Sequence, residues 1–147
     1  MTRTNLRRDV ARTMPQVSRG WRQLADAALA DFRISNSMGW CLIHLDRLGP
    51  DARQTDLAQE IGITPPSTVA VLNQLEQAGL VERVPNPDDK RSNRLLLTDA
   101  GAALVDKIEE RFAVLRRELF DGVPEEDIAT MLRLLELLNT RIAERRG

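Results

Sequence analysis

Apolar residues recur along most of this chain at helical spacing, and in one place they alternate at strand spacing. Near the N-terminus Leu6, Val10, Met14, Val17, Trp21, Leu24 and Ala28 follow steps of four and three. That heptad-like seam suits packing against another helix better than facing a broad core. Pro15 interrupts the seam and predicts a kink or a break. Ser35 is positioned to cap a second helix running to about Leu48, closed by Gly49-Pro50. Thr55 is placed to cap a short third helix ending near Gly62, followed by a three-residue turn. Thr64 then offers an N-cap, with Pro65 at the first helical position, where a missing N–H costs nothing. Val69, Leu72 and Leu75 recur every three residues and predict one buried stripe, until Gly79 ends the helix. A strand from Leu80 to Val84, a turn at Asn86-Pro87-Asp88-Asp89 and a strand from Arg94 to Leu97 come next. Thr98 caps a long helix striped by Leu104, Ile108, Phe112, Leu115 and Leu119, with Gly122 at its end. Pro124 opens the last helix, whose first turn holds Glu125, Glu126 and Asp127 to match the helix dipole.

Helix, turn, helix, hairpin and helix start is the order of a winged helix-turn-helix. The expected fold is therefore mainly α with a small β-hairpin wing, flanked by N- and C-terminal dimerisation helices. Within one compact domain, residues 1–34 read as an N-terminal dimerisation helix and 35–100 as the winged helix-turn-helix lobe. Residues 101–147 read as C-terminal dimerisation helices. The dimer expectation rests on Ile128 to Leu138, where seven of eleven residues are Ile, Leu or Met. An apolar arc that wide exceeds what one neighbour can cover, so a second copy of the chain is the expected partner. The alternative is a helix fully buried within a monomer.

On a helical wheel built from the Val69, Leu72, Leu75 stripe, the opposite side carries Ser67, Ala70, Val71, Gln74 and Gln77. Those side chains are short and uncharged, suited to hydrogen bonding with base edges or to meeting a thymine methyl. A merely solvated helix face usually shows Glu and Lys. The residues expected at the DNA are Thr64, Pro66, Ser67, Thr68, Val71, Asn73 and Gln74, with Lys90, Arg91 and Arg94 from the hairpin. Asp89, two residues before Arg91, is placed to brace its guanidinium for a narrow, negatively charged minor groove. Alone, the charged hairpin would read as a solvated turn; joined to the helix before it, it reads as a DNA contact.

At these residues the chain resembles the MarR family of bacterial transcriptional regulators, its SlyA-like branch included. The resemblance runs through Thr55-Asp56-Leu57-Ala58 to Gly62-Ile63-Thr64, then Leu75-Glu76-Gln77-Ala78-Gly79-Leu80-Val81-Glu82-Arg83. It continues through Asn86-Pro87-Asp88-Asp89-Lys90-Arg91-Ser92 and closes at Leu97-Thr98-Asp99-Ala100-Gly101. It implies a homodimer that binds a pseudo-palindromic site in double-stranded DNA, most often as a repressor. One departure is Ala70, where such proteins often carry a larger polar residue, frequently Arg; it bears on sequence preference and not on the fold. The resemblance also implies an amphipathic or phenolic effector between the dimer helices and the DNA-binding lobe. Trp21, Phe32, Trp40, His44 and Phe112 are the candidate lining residues, with ordinary core as the alternative for each.

Composition narrows the chemistry. The chain has 147 residues, 42% hydrophobic, 29% charged and 3% aromatic, with net charge −1. Near-neutrality does not argue for nucleic acid, but the charge is uneven: residues 1–25 hold six Arg against Asp9 alone, a balance of +5. No apolar run approaches the roughly 20 residues of a membrane span, and no secretory signal core opens the chain, so a cytoplasmic location is expected. A single Cys (Cys41) allows no internal disulfide, and one His (His44) beside it allows no His/Cys metal cluster. No phosphate-cradling glycine loop is present. No enzyme activity, metal or cofactor is expected. Two readings compete with a DNA-binding regulator: a winged-helix protein-interaction module, and a thiol-based sensor using Cys41. Leu42, Ile43 and Leu45 around Cys41 favour a buried structural thiol.

Overall fold

The computed structural model describes residues 5–147, the side chains of residues 89–92 excepted. Helix α1 (Leu6–Leu29) is followed by a 3-10 turn (Ala30–Phe32), then α2 (Asn36–Leu48), α3 (Gln54–Ile61) and α4 (Pro65–Gln77). Strands β1 (Val81–Asn86) and β2 (Asp89–Leu97) form an antiparallel hairpin before α5 (Asp99–Leu119) and α6 (Glu125–Arg146). The chain divides into two compact units, one ending at Ala113 and one running from Val114 to Gly147, so α5 contributes to both. No described helix is long and apolar enough to cross a membrane.

In the first unit α2, α3 and α4 enclose a core that the hairpin and α5 complete. Leu42, Leu57, Leu72 and Leu75 are fully buried in it, with Val81, Leu95 and Val105 nearly so. The local caps explain why the helices start where they do. Ser35 accepts from the Met38 amide at 3.1 Å, and Thr64 from the Ser67 amide at 3.3 Å. Thr98 Oγ1 accepts from the Gly101 amide at 3.1 Å and donates to the Gly79 carbonyl at 2.6 Å. One hydroxyl thereby starts α5 and fastens it to the end of α4.

Several sequence expectations are corrected. Helix α1 runs unbroken through Pro15. Pro15 is exposed, so the carbonyl that loses its partner can turn to water. Helix α3 begins one residue before Thr55; its N-cap is Arg53, whose amide donates to Asp56 Oδ2 at 3.1 Å. The strands are longer than the alternation implied because Asn86 Oδ1 accepts from the Asp88 amide at 3.0 Å. That side-chain turn tightens the reversal to Pro87-Asp88 and lets pairing continue on both sides. On α5 the buried stripe is Gly101, Val105, Ile108 and Phe112, while Leu119 is exposed.

In the second unit α6 has no buried residue. Met131, Leu132, Leu134, Leu135, Leu137 and Ile142 are each at least 41% exposed. On α1, Leu6, Val10, Val17 and Leu24 are likewise exposed.

Candidate nucleic-acid interface

The helix-turn-helix is set by Gly62, whose φ of 77° is left-handed and whose amide bonds Ala58 O at 2.8 Å. A side chain there would be strained, so glycine allows α3 to stop and the chain to turn into α4. An open cleft of about 290 Å³ lies at this corner, lined by Gln54, Thr55, Ala58, Gln59, Ile63 and Pro65.

Helix α4 buries Thr68, Val71, Leu72 and Leu75, the steps of three and four that hold a face. Two expected DNA contacts, Thr68 and Val71, therefore point into the core: Thr68 is 0% exposed and Val71 9%. The wheel failed for a physical reason. A strict three-residue repeat drifts around the helix, so Val69, read as inward, ends 37% exposed. Thr68 was read as a polar surface residue, yet its hydroxyl donates to Thr64 O at 3.0 Å, which removes the penalty for burying it. Pro66, Ala70, Asn73 and Gln77 form the outward row, all exposed, with Val69 and Gln74 flanking it. Ser67 is exposed at the first turn, its hydroxyl 3.0 Å from Thr64 Oγ1.

The one charged residue of α4, Glu76, is engaged: Arg83 Nη1 of β1 lies 3.0 Å from its Oε1. This pair ties the hairpin to the helix before it. A further tie joins the hairpin to the segment before α3. The Leu95 amide donates to Ala52 O at 2.9 Å, and Arg53 bridges Arg94. Arg94, expected as a phosphate contact, is held at this base with Nη1 3.5 Å from Asp51 Oδ1. The side-chain expectations for Asp89, Lys90 and Arg91 lie outside the described residues.

The fold recurs in known proteins. Residues 34–92 match the model of the MarR family. Three solved structures are similar to the chain over most of its length. The transcriptional regulator PA3341 is 28% identical with a TM-score of 0.83, covering 92% of this chain and 98% of its own. Wild-type MarR of E. coli, in its apo form, is 25% identical with a TM-score of 0.73 (87% and 95% covered). MepR of S. aureus, in complex with DNA, is 26% identical with a TM-score of 0.71 (90% and 97% covered).

Residues 34–92 are thus similar to the winged helix of the MarR family.

Behind this winged helix, four of the five candidate effector residues come together. Trp21 meets Phe112 edge-on at 5.8 Å between centroids, Phe112 lies 5.7 Å from Trp40, and Trp40 lies 6.3 Å from His44. Phe32 is half-buried, with no ring contact among those described. The cluster has a polar edge. Trp40 Nε1 donates to Asp26 Oδ1 at 2.7 Å, Arg22 lies 3.5 Å from the same oxygen, and its guanidinium carbon stands 3.9 Å above the Trp40 ring. His44 Nδ1 is 3.5 Å from Glu60 Oε1, which also meets Arg47 Nη1 at 3.1 Å. Burial lowers the His44 pKa below its usual value, against the opposing pull of Glu60, while Arg47 and Arg22 push it the same way as burial.

Cys41 is 1% exposed, and burial raises its pKa to about 11, so the nucleophilic thiolate is suppressed near neutral pH. Among the described residues no three His, Cys, Asp or Glu side chains gather as a metal site would require.

Proposed function

We propose that this MarR-type chain is a homodimeric DNA-binding repressor of the SlyA-like pattern, released from its operator by a small amphipathic or phenolic effector. The observation that carries the reading is the outward row of α4. Its side chains are uncharged and exposed, and a hairpin tied to the same helix through Glu76–Arg83 follows directly. Short, uncharged side chains are poorly explained as a solvated face and well suited to a groove. In this reading Thr64, Pro66, Ser67, Asn73 and Gln74 approach the major groove. Arg91, braced by Asp89, enters the adjacent minor groove, and Lys90 holds phosphate, an assignment made on their place at the hairpin in the sequence. DNA bound to MepR supports the reading by likeness.

The dimer is proposed from the exposed apolar side chains of α6 and, separately, from those of α1, each a set that water would oppose in a lone chain. Two copies would set two recognition helices on a pseudo-palindromic site. The edge-linked Trp21, Trp40, His44 and Phe112, with Arg22 and Asp26 beside them, are the proposed effector surface.

Sedimentation combined with gel retardation tests this. The protein should sediment at twice 16.6 kDa, retard duplex DNA at low salt, and lose retardation when truncated after Gly122. A monomer that still binds a full palindrome would refute the dimer. Failure to retard any duplex at low salt would refute the DNA reading and leave the interaction-module alternative.

A further inference from the structure

We infer that the recognition helix reads A·T pairs, through thymine methyls and adenine edges, and carries no Arg or Lys to pair with guanine. This rests on the DNA-binding reading above and specifies its substrate. The commonest guanine contact is an Arg or Lys reaching both O6 and N7 in the major groove. Helix α4 contains neither, and its single charge, Glu76, is taken up by Arg83 at 3.0 Å.

What the helix presents instead falls into two chemical halves. Its N-terminal half offers Pro66 and Ala70 on the outward row with Val69 beside them, all exposed apolar surface. The apolar feature in the major groove of unmodified DNA is the C5 methyl of thymine. Its C-terminal half offers Asn73, Gln74 and Gln77, three exposed amides. An amide presents a donor and an acceptor together, the pattern that matches adenine N7 and N6. Both halves thus select the same base pair from opposite strands. Val69 matters most here, because its exposure follows from the burial of Thr68 and Val71 and gives the helix its largest outward methyl pair.

The test starts from duplexes selected by the full-length protein from a random pool, followed by equilibrium titration of base analogues. Replacing thymine by uracil removes only the C5 methyl. Under α4 each such change should weaken binding about three- to four-fold, the value of one buried methyl-sized group. Val69→Ala should abolish one of these losses and leave the rest. Ala70→Arg, at an exposed position, should make the selected sites acquire a guanine they lacked. A·T richness could also arise from a narrow minor groove read by the hairpin, and inosine·cytosine pairs separate the two causes. Such a pair keeps the minor-groove face of A·T and shows the major-groove face of G·C. It should be rejected beneath α4 and tolerated beneath the wing. G·C pairs required beneath the helix, or indifference to uracil, would overturn the inference while leaving DNA binding intact. Failure to bind any duplex would overturn the DNA reading itself.

Discussion

Replacing Gly101 by Ala should unfold this protein about 1 M earlier in urea, although Ala is the better helix former. Gly101 lies in the first turn of α5, where its amide bonds Thr98 Oγ1 at 3.1 Å. A Cβ at this position would overlap the Leu80 carbonyl oxygen and stand 3.0 Å from the Leu80 carbonyl carbon. The obstacle is backbone and cannot swing away as a side-chain tip would. The same Leu80 oxygen accepts the Thr98 amide at 3.1 Å, so moving it loosens the junction of hairpin and α5. Losing that hydrogen bond costs about 0.5–1.5 kcal/mol, and forcing an extra carbon into a packed site about 1–3 kcal/mol. The helix preference for Ala over Gly returns up to about 1 kcal/mol. The net loss is about 0.5–3.5 kcal/mol, centred on about 2, which at a slope of about 2 kcal/mol per molar urea moves the midpoint by about 1 M. Urea titration of wild type and variant at one protein concentration is the assay, since the stability of the proposed dimer would depend on concentration. Gly20→Ala is the matched control: nothing lies within 4 Å of its added carbon, and a mid-helix Gly-to-Ala change should stabilise by about 1 kcal/mol. An unchanged midpoint for Gly101→Ala would refute the argument.

Asp26→Ala should cost about 1–3 kcal/mol by leaving the indole N–H of the buried Trp40 without its acceptor, and should alter the tryptophan emission; unchanged emission and stability would count against that bond. Cys41→Ser should cost about 1–3 kcal/mol by placing a hydroxyl in an apolar site, and a thiol reagent should modify native wild type far more slowly than the unfolded chain. A peroxide response of DNA binding that disappears in Cys41→Ser would instead establish a sensor. His44 has a folded pKa below its unfolded value near 6.5, so the unfolded chain binds more protons in that window. Its contribution is complete above pH 6.5 and falls as pH drops towards the folded value; subtracting the stability profile of His44→Gln from that of wild type should show this loss, and a flat difference would refute it.

What the sequence determined by itself was set by short-range chemistry. Ser35, Thr64 and Thr98 each cap a helix with a side chain reaching an amide three residues on, a contact that needs no distant partner. Gly62 and Gly79 adopt left-handed backbone where an ordinary residue would be strained, and so mark turns in any context. The order of helices around a hairpin, and with it the winged helix, was legible from these signals and the apolar periodicity. Tertiary structure decided what depends on neighbours distant in sequence. Helix α4 packs on α2 and α3 with Thr68 on its buried side, a burial its hydroxyl tolerates by donating to the Thr64 carbonyl, and Val69 is left outward. Pro15 could remain inside α1 because that face is exposed. Arg94 was drawn to Asp51, 43 residues away, and Arg83 to Glu76, pairings that no local pattern encodes. The joining of Trp21, Trp40 and Phe112 from three helices likewise arises only when the chain closes its first core. Caps and turns are won residue by residue, whereas the outward face of α4 is whatever the packing of its other face leaves to solvent.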